Sequence, residues 1–248
     1  MTAQAETTLA ELVRQHPQRA RLFSELGLDF CCHGGQTLAA ACQQRGLDVA
    51  DVCRRLDEQP PDAADDQNWH GWPLARLIDD IVSRHHAYVR RQLPHLRALC
   101  HTVHTTHGAA HPELHMLQAV LAELADELTT HMFKEERVLF PWVKQLEAGT
   151  ATGAPPFGTV QNPICVMEDE HRRAADALEH FRLLTHNYSP PADACPAYEA
   201  LLADLRAFDA DLRLHIYKEN HVLFPRALEL EAHALSHAAT MPDVLPLD

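Results

Sequence analysis

The chain of 248 residues is poor in basic side chains: 21 Lys and Arg stand against 35 Asp and Glu, a formal charge of −14. No Lys/Arg run interrupts that acidic balance, which excludes electrostatic binding to nucleic acid or to anionic lipid. Apolar runs fall far short of the ~18 residues that would cross a bilayer. The opening stretch MTAQAETTLAELVRQ has no basic segment followed by an apolar core, so no export signal is expected. Seven cysteines, an odd number with two of them adjacent, do not suggest a disulfide framework; in a reducing cytoplasm they read as thiols. Histidine is what the chain has in excess. Its 19 copies nearly match all Lys and Arg together, and imidazole is the commonest metal ligand.

Residues 1–57 carry four short apolar-periodic stretches separated by turn signals, which predicts a small all-helical unit. A unit of that size has little core of its own and calls for a partner or an intermolecular contact, which leaves room for a homodimer. Residues 58–68 are rich in Pro and Asp and read as a linker. In residues 69–248, four long amphipathic patterns follow Pro73, Pro112, Pro163 and Pro196, each near a helix start, where a missing N–H costs nothing. The expected architecture is an all-α, up-down-up-down four-helix bundle preceded by the small helical domain. The bundle is internally repeated: HMFKEERVLFP (131–141) recurs as HIYKENHVLFP (215–225), with seven of eleven positions identical.

The core stripe of the second pattern, Leu117, Leu121, Leu124 and Leu128, continues at the same spacing onto His131 and Glu135. In the fourth, Leu201, Leu205, Phe208 and Leu212 run on to His215 and Glu219. Residues four apart share a helix face, so each pair offers an imidazole and a carboxylate to one point. Burying them unpaired would cost several kcal/mol. A metal removes that penalty. The inward rows of the first and third patterns supply His86, in preference to His85, and His171. All four histidines fall at one depth in such a bundle. Four His and two Glu exceed a tetrahedral zinc site and suit two metals, each with two imidazoles, bridged by both carboxylates. Mixed nitrogen and oxygen donors point to iron, with manganese or zinc as other occupants. Glu127 and Asp211, each four residues before a ligating histidine, and Glu170, beside His171, are candidates to orient the imidazoles. His107 lies 21 residues beyond His86, about 31 Å along a continuous helix, and is left out of the site.

Asp29-Phe30-Cys31-Cys32-His33-Gly34-Gly35 directly precedes a helical pattern. Adjacent cysteines rarely bond to each other without strain. Thiols at a Gly-rich turn before a helix are expected to have lowered pKa values and to serve redox, metal or intermolecular chemistry. Cys42, Cys53, Cys100, Cys165 and Cys195 read as small apolar residues.

The DFCC-H-GG…TL motif, the two H-x3-E…VLFP segments and VMEDEH around His171 together resemble the iron–sulfur cluster repair di-iron proteins, also called Repair of Iron Centres proteins, over nearly the whole chain. The resemblance implies a hemerythrin-like bundle holding two iron ions per chain, oxo- and carboxylate-bridged, on His86, His131, Glu135, His171, His215 and Glu219. It also implies a cytoplasmic stress-response protein that restores clusters damaged by nitric oxide or peroxide through loss of a labile iron. Proteins with damaged clusters would be its partners, NO or O2 its small-molecule ligands, and Cys31 and Cys32 its thiol pair. Two other readings stand beside this one: a di-iron nitric oxide reductase and a hemerythrin-type O2 or NO sensor.

Six ligands on four helices set a stoichiometry. Elemental analysis of protein made in iron-replete cells should approach two irons per chain with antiferromagnetic coupling; a firm value of one without coupling would contradict the dinuclear reading.

Overall fold

The computed structural model describes residues 5–59 and 69–240, and among them it contains eight helices and no strand. Most of the expected linker, residues 60–68, lies outside the described residues. The first four helices are short: α1 Leu9–Gln15, α2 Arg19–Leu26, α3 Leu38–Arg45 and α4 Val49–Asp57. Local sequence sets their ends. Thr8, Thr37 and Asp48 accept the first-turn N–H of Glu11, Ala40 and Ala50, which would otherwise lack partners. Gly27 closes α2 at φ 69°, a left-handed conformation that glycine adopts without a Cβ penalty.

Of the four long helices, three contain one wide turn each, and the third in chain order is regular throughout. Helix α5 runs Leu74–Asp80, widens through Ile81–His86 and continues as Ala87–His107. Helix α6 runs Glu113–Lys134, widens through Glu135–Leu139 and ends as Phe140–Glu147. Helix α7 is Gln161–Leu184. Helix α8 runs Pro196–Lys218, widens through Glu219–Leu223 and ends as Phe224–Thr240. The wide turns are π-helical, a form that is rare and concentrated at functional sites. In α6 and α8 the cause is visible in the repeated LFP. Pro141 and Pro225 have no N–H to give the carbonyls of Arg137 and His221, so the turn before each is already one bond short and widens at low cost.

Helices α5 to α8 pack in ring order, each against its chain neighbours and α8 back against α5, around a core that runs continuously into the N-terminal unit. The 84-residue repeat extends to the helix ends. Glu147 accepts the N–H of Leu74 and Ala75 at 2.6 and 2.7 Å, and Glu231 accepts that of Val160 at 2.9 Å. A carboxylate thus caps the start of the first helix in each hairpin.

The N-terminal unit is docked on α7 and α8. Arg45 makes a bidentate pair with Glu179 at 2.7 and 3.0 Å, the Tyr217 hydroxyl donates to the carbonyl of Ala10, and the Phe30 ring lies 5.8 Å from that of Tyr217. Beneath it lies a buried ionic knot. Asp209 accepts from Arg182, Arg213 and the Tyr188 hydroxyl, and Arg182 also donates to the carbonyl of Ser24. The scattered cysteines are not all core: Cys42 and Cys100 are buried, but Cys165 is exposed and accepts from Gln161, because its position falls on the outer face of α7.

Asp209 is fully buried between two buried guanidinium groups. Asp209→Ala leaves Arg182 without a carboxylate and Arg213 with only Asp29, at 3.9 Å, and should cost about 3–5 kcal/mol in denaturant unfolding; a loss below about 1 kcal/mol would show that Asp29 and water, not Asp209, neutralise them.

Candidate metal centre

The structure brings His86, His131, Glu135, His171, His215 and Glu219 together, all buried, midway along the bundle. They form two overlapping groups of four: His86, His215, Glu135 and Glu219 in one, His131, His171, Glu135 and Glu219 in the other. Both carboxylates belong to both groups. Glu135 sets one oxygen 3.3 Å from His131 Nε2 and the other 3.3 Å from His86 Nε2. Glu219 lies 3.0 Å from His171 Nε2 through one oxygen and 3.0 Å from His215 Nε2 through the other.

The donor set fits a metal on three counts. First, His131 Nδ1 donates to Glu170 at 2.9 Å and His171 Nδ1 donates to the Asn220 carbonyl oxygen at 2.8 Å, so each ring turns its Nε2 inward, where a cation could take the place of a proton. Second, those two Nε2 atoms face each other at 3.1 Å, as do those of His86 and His215. Lone pairs so placed need a proton or a cation between them, and ligands at right angles on bonds of about 2.0–2.1 Å lie about 3 Å apart. Third, both oxygens of Glu135 and one of Glu219 are buried without hydrogen-bond geometry to any neighbour. Burial opposes charge throughout, yet Glu135 and Glu170 raise His131 to about 10, and the facing imidazoles hold Glu219 well below the usual carboxylate range. His215 goes the other way, to about 4, because burial outweighs its carboxylate.

The groups behind the imidazoles follow the repeat. His86 Nδ1 donates to Glu136 at 2.6 Å; its counterpart His171 donates to Asn220, 84 residues beyond Glu136. Phe140 stacks on His86 and Phe224 on His171, both at 5.8 Å. Glu136 and Asn220 were not anticipated. Each directly follows a ligand-type glutamate, a position that a regular α-helix turns off the core stripe, and the wide turn returns it to a histidine of the preceding helix. The repeated proline after each segment was the available signal.

Of the three expected orienting carboxylates, Glu170, singled out for its place beside His171, reaches a candidate ligand on another helix, where it accepts from His131 Nδ1 and is itself held by Lys134. Glu127 instead lines a surface groove with Met116, Arg173 and His180, because His131 directs Nδ1 across to α7 rather than back along its own helix. Asp211 accepts from His85 Nδ1 at 3.0 Å, not from His215, whose Nδ1 has no partner. The wide turn of α5 buries His85 as well as His86, and His85 stacks on His215. His107 sits at the far end of α5, which runs through Pro94 without folding back, and touches His111 and Tyr198.

Cys31 and Cys32 lie against this centre. Cys32 Sγ is 3.5 Å from the His171 carbonyl, and the Cys31 carbonyl accepts from Asn220 Nδ2 at 3.1 Å and His221 Nε2 at 3.0 Å. Asn220 therefore joins the thiol turn to His171. The approach needs glycine at 34, where a Cβ would come within 2.5 Å of the Phe30 carbonyl and 2.8 Å of His221. The expected lowering of the thiol pKa does not hold for Cys31: burial pushes it well up, and the nearby Cys32 and Asp29 add to the rise. Both thiols are free, with Sγ atoms 4.0 Å apart.

Fold and site define a hemerythrin-type cation-binding bundle, and the hemerythrin HHE cation binding domain matches residues 77–227. ScdA_N, a domain of unknown function, matches residues 5–59. The chain is 42% identical over 227 residues to the iron-sulfur cluster repair protein YtfE of Musicola paradisiaca (strain Ech703), covering 92% of this chain and 98% of that one. It is 38% identical over 229 residues to the YtfE protein of Escherichia coli O157:H7, covering 91% and 98%. The chain belongs to the family of iron–sulfur cluster repair proteins. No helix among the described residues is long and apolar enough to cross a membrane.

Replacing Asn220 by Ala removes the acceptor for His171 Nδ1 and should weaken iron retention by about tenfold or more, read as the chelator concentration that strips half the iron. His107→Ala should retain iron like the parent protein. Equal losses in the two variants would contradict the assignment.

Proposed function

We propose that the protein restores damaged iron–sulfur clusters by holding two iron ions on His86, His131, Glu135, His171, His215 and Glu219 and yielding iron to the damaged cluster. The observation that carries this reading is the pair of buried carboxylates, each reaching imidazoles of both groups and each with oxygens lacking hydrogen bonds. Such a box has two positions for cations that share both glutamates, so an ion leaving one position leaves the other still held. Iron is the cargo here, and when bound it would also supply one-electron chemistry toward NO or O2.

The chain's own residues do three things in this account. Glu136, Glu170 and Asn220 hold the Nδ1 protons of three imidazoles and keep each Nε2 aimed inward. Phe140 and Phe224 cover the outer faces of His86 and His171 and exclude water from them. Residues 5–57 act as a thiol-bearing unit docked on the bundle, with Cys31 and Cys32 placed beside His171 to meet the client or the ion.

The test is anaerobic incubation of the reduced, iron-loaded protein with a cluster enzyme damaged by NO, following client activity, iron and N2O together. Client activity should return as this protein loses iron, without sustained N2O formation. The Cys31→Ser/Cys32→Ser variant should keep its iron and repair poorly. Catalytic N2O release with iron fully retained would establish the nitric oxide reductase in place of the donor.

A further inference from the structure

The hydrogen bonds that back the four imidazoles obey the internal repeat except at one pair of positions. His131 and His215 correspond, as do Glu135 and Glu219, Glu136 and Asn220, and Phe140 and Phe224, each 84 residues apart. In the helices that face them, His86 corresponds to His171 and the preceding residues, His85 and Glu170, to each other, 85 residues apart. Glu170 is the acceptor for His131 Nδ1. His85, in the matching place, accepts nothing from His215. Its ring lies flat against the His215 ring, 5.5 Å away with planes 4° apart, its Nδ1 is engaged by Asp211 and its Nε2 by the buried ammonium of Lys218 at 3.0 Å. Lys218 is in turn held by Asp80 at 2.6 Å. His215 Nδ1 is therefore buried with no hydrogen-bond partner, the only one of the four imidazoles in that condition.

We infer that the two metal positions are unequal and that the ion held by His86 and His215 is the one released first. An imidazole whose second nitrogen donates to a carboxylate or amide oxygen is a stronger and better-oriented ligand, and loss of such a partner costs 10–100-fold in metal affinity. The His131/His171 position has both imidazoles backed, by Glu170 and Asn220. The His86/His215 position has one, through Glu136. His85 is thus a positioning residue that loosens the centre on one side, and Lys218 enforces this by occupying the ring nitrogen of His85 on the side away from Asp211. Release of that ion to a cluster rests on the repair reading above; the inequality of the two positions does not.

The experiment is stopped-flow removal of ferrous iron from the fully loaded, full-length protein by a coloured chelator, with no client present. The parent protein should release iron in two phases of one ion each. His85→Glu supplies the missing acceptor and should slow the fast phase about tenfold or more while leaving the slow phase alone. His85→Gln gives a neutral acceptor of smaller demand on the core and should act in the same direction. Glu170→Gln should quicken the slow phase and bring the two together. Thermal unfolding of each variant separates these effects from loss of fold. A single phase in the parent protein, or a fast phase that answers to Glu170→Gln and not to either His85 variant, would overturn the inference. Unequal phases without client repair would leave the inference standing and remove the donor function instead.

Discussion

Two carboxylates buried in the middle of a helical bundle govern the rest of this structure. Glu135 and Glu219 have no exposed surface, and taking each from water costs several kcal/mol that hydrogen bonds do not return, since three of their four oxygens have none. Only positive charge between them and the four imidazoles offsets that cost, as protons or as metal ions. The surrounding features serve that arrangement. Glu136, Glu170 and Asn220 fix three rings, two phenylalanines cover two of them, and the wide turns of α5, α6 and α8 let adjacent residues such as Glu135 and Glu136 both face inward.

The bundle is two copies of one helical hairpin, and the copy number explains its economy. Each hairpin supplies two imidazoles and one carboxylate, but each group of four draws one imidazole from each hairpin and uses both carboxylates, so neither hairpin completes a group alone. The same repeat places Glu147 and Glu231 at the helix starts and Phe140 and Phe224 over the rings. Where the copies differ, the difference has a physical consequence, as at His85 and Glu170 beside the candidate ligands. The N-terminal unit is added to this pair asymmetrically, against α7 and α8, so the Cys32 thiol meets His171 and not His86.

Much of this was legible in the sequence because it depends on periodicity. Aliphatic stripes at helical spacing that run on to His131 and Glu135, and to His215 and Glu219, placed those residues in a core before any coordinates. The rest depended on departures from that period. Glu136 and Asn220 reach their histidines through wide turns, which an ideal 3.6-residue helix does not produce. Asp211 and Glu127 were paired with histidines four residues on, as ideal geometry suggests, yet one reaches His85 and the other faces a surface groove. The Cys31 thiol was expected to ionise readily because the sequence shows a Gly-rich turn before a helix; it does not show that the bundle covers the turn and buries the sulfur.

The central claim is that the ions sit between the paired imidazoles and share both glutamates. Anomalous diffraction at the iron edge from crystals of the iron-loaded protein tests it directly. The account predicts two peaks, one between His86 and His215 and one between His131 and His171, each in contact with Glu135 and Glu219. A single peak, or iron held by Cys31 and Cys32 with the bundle centre empty, would contradict it.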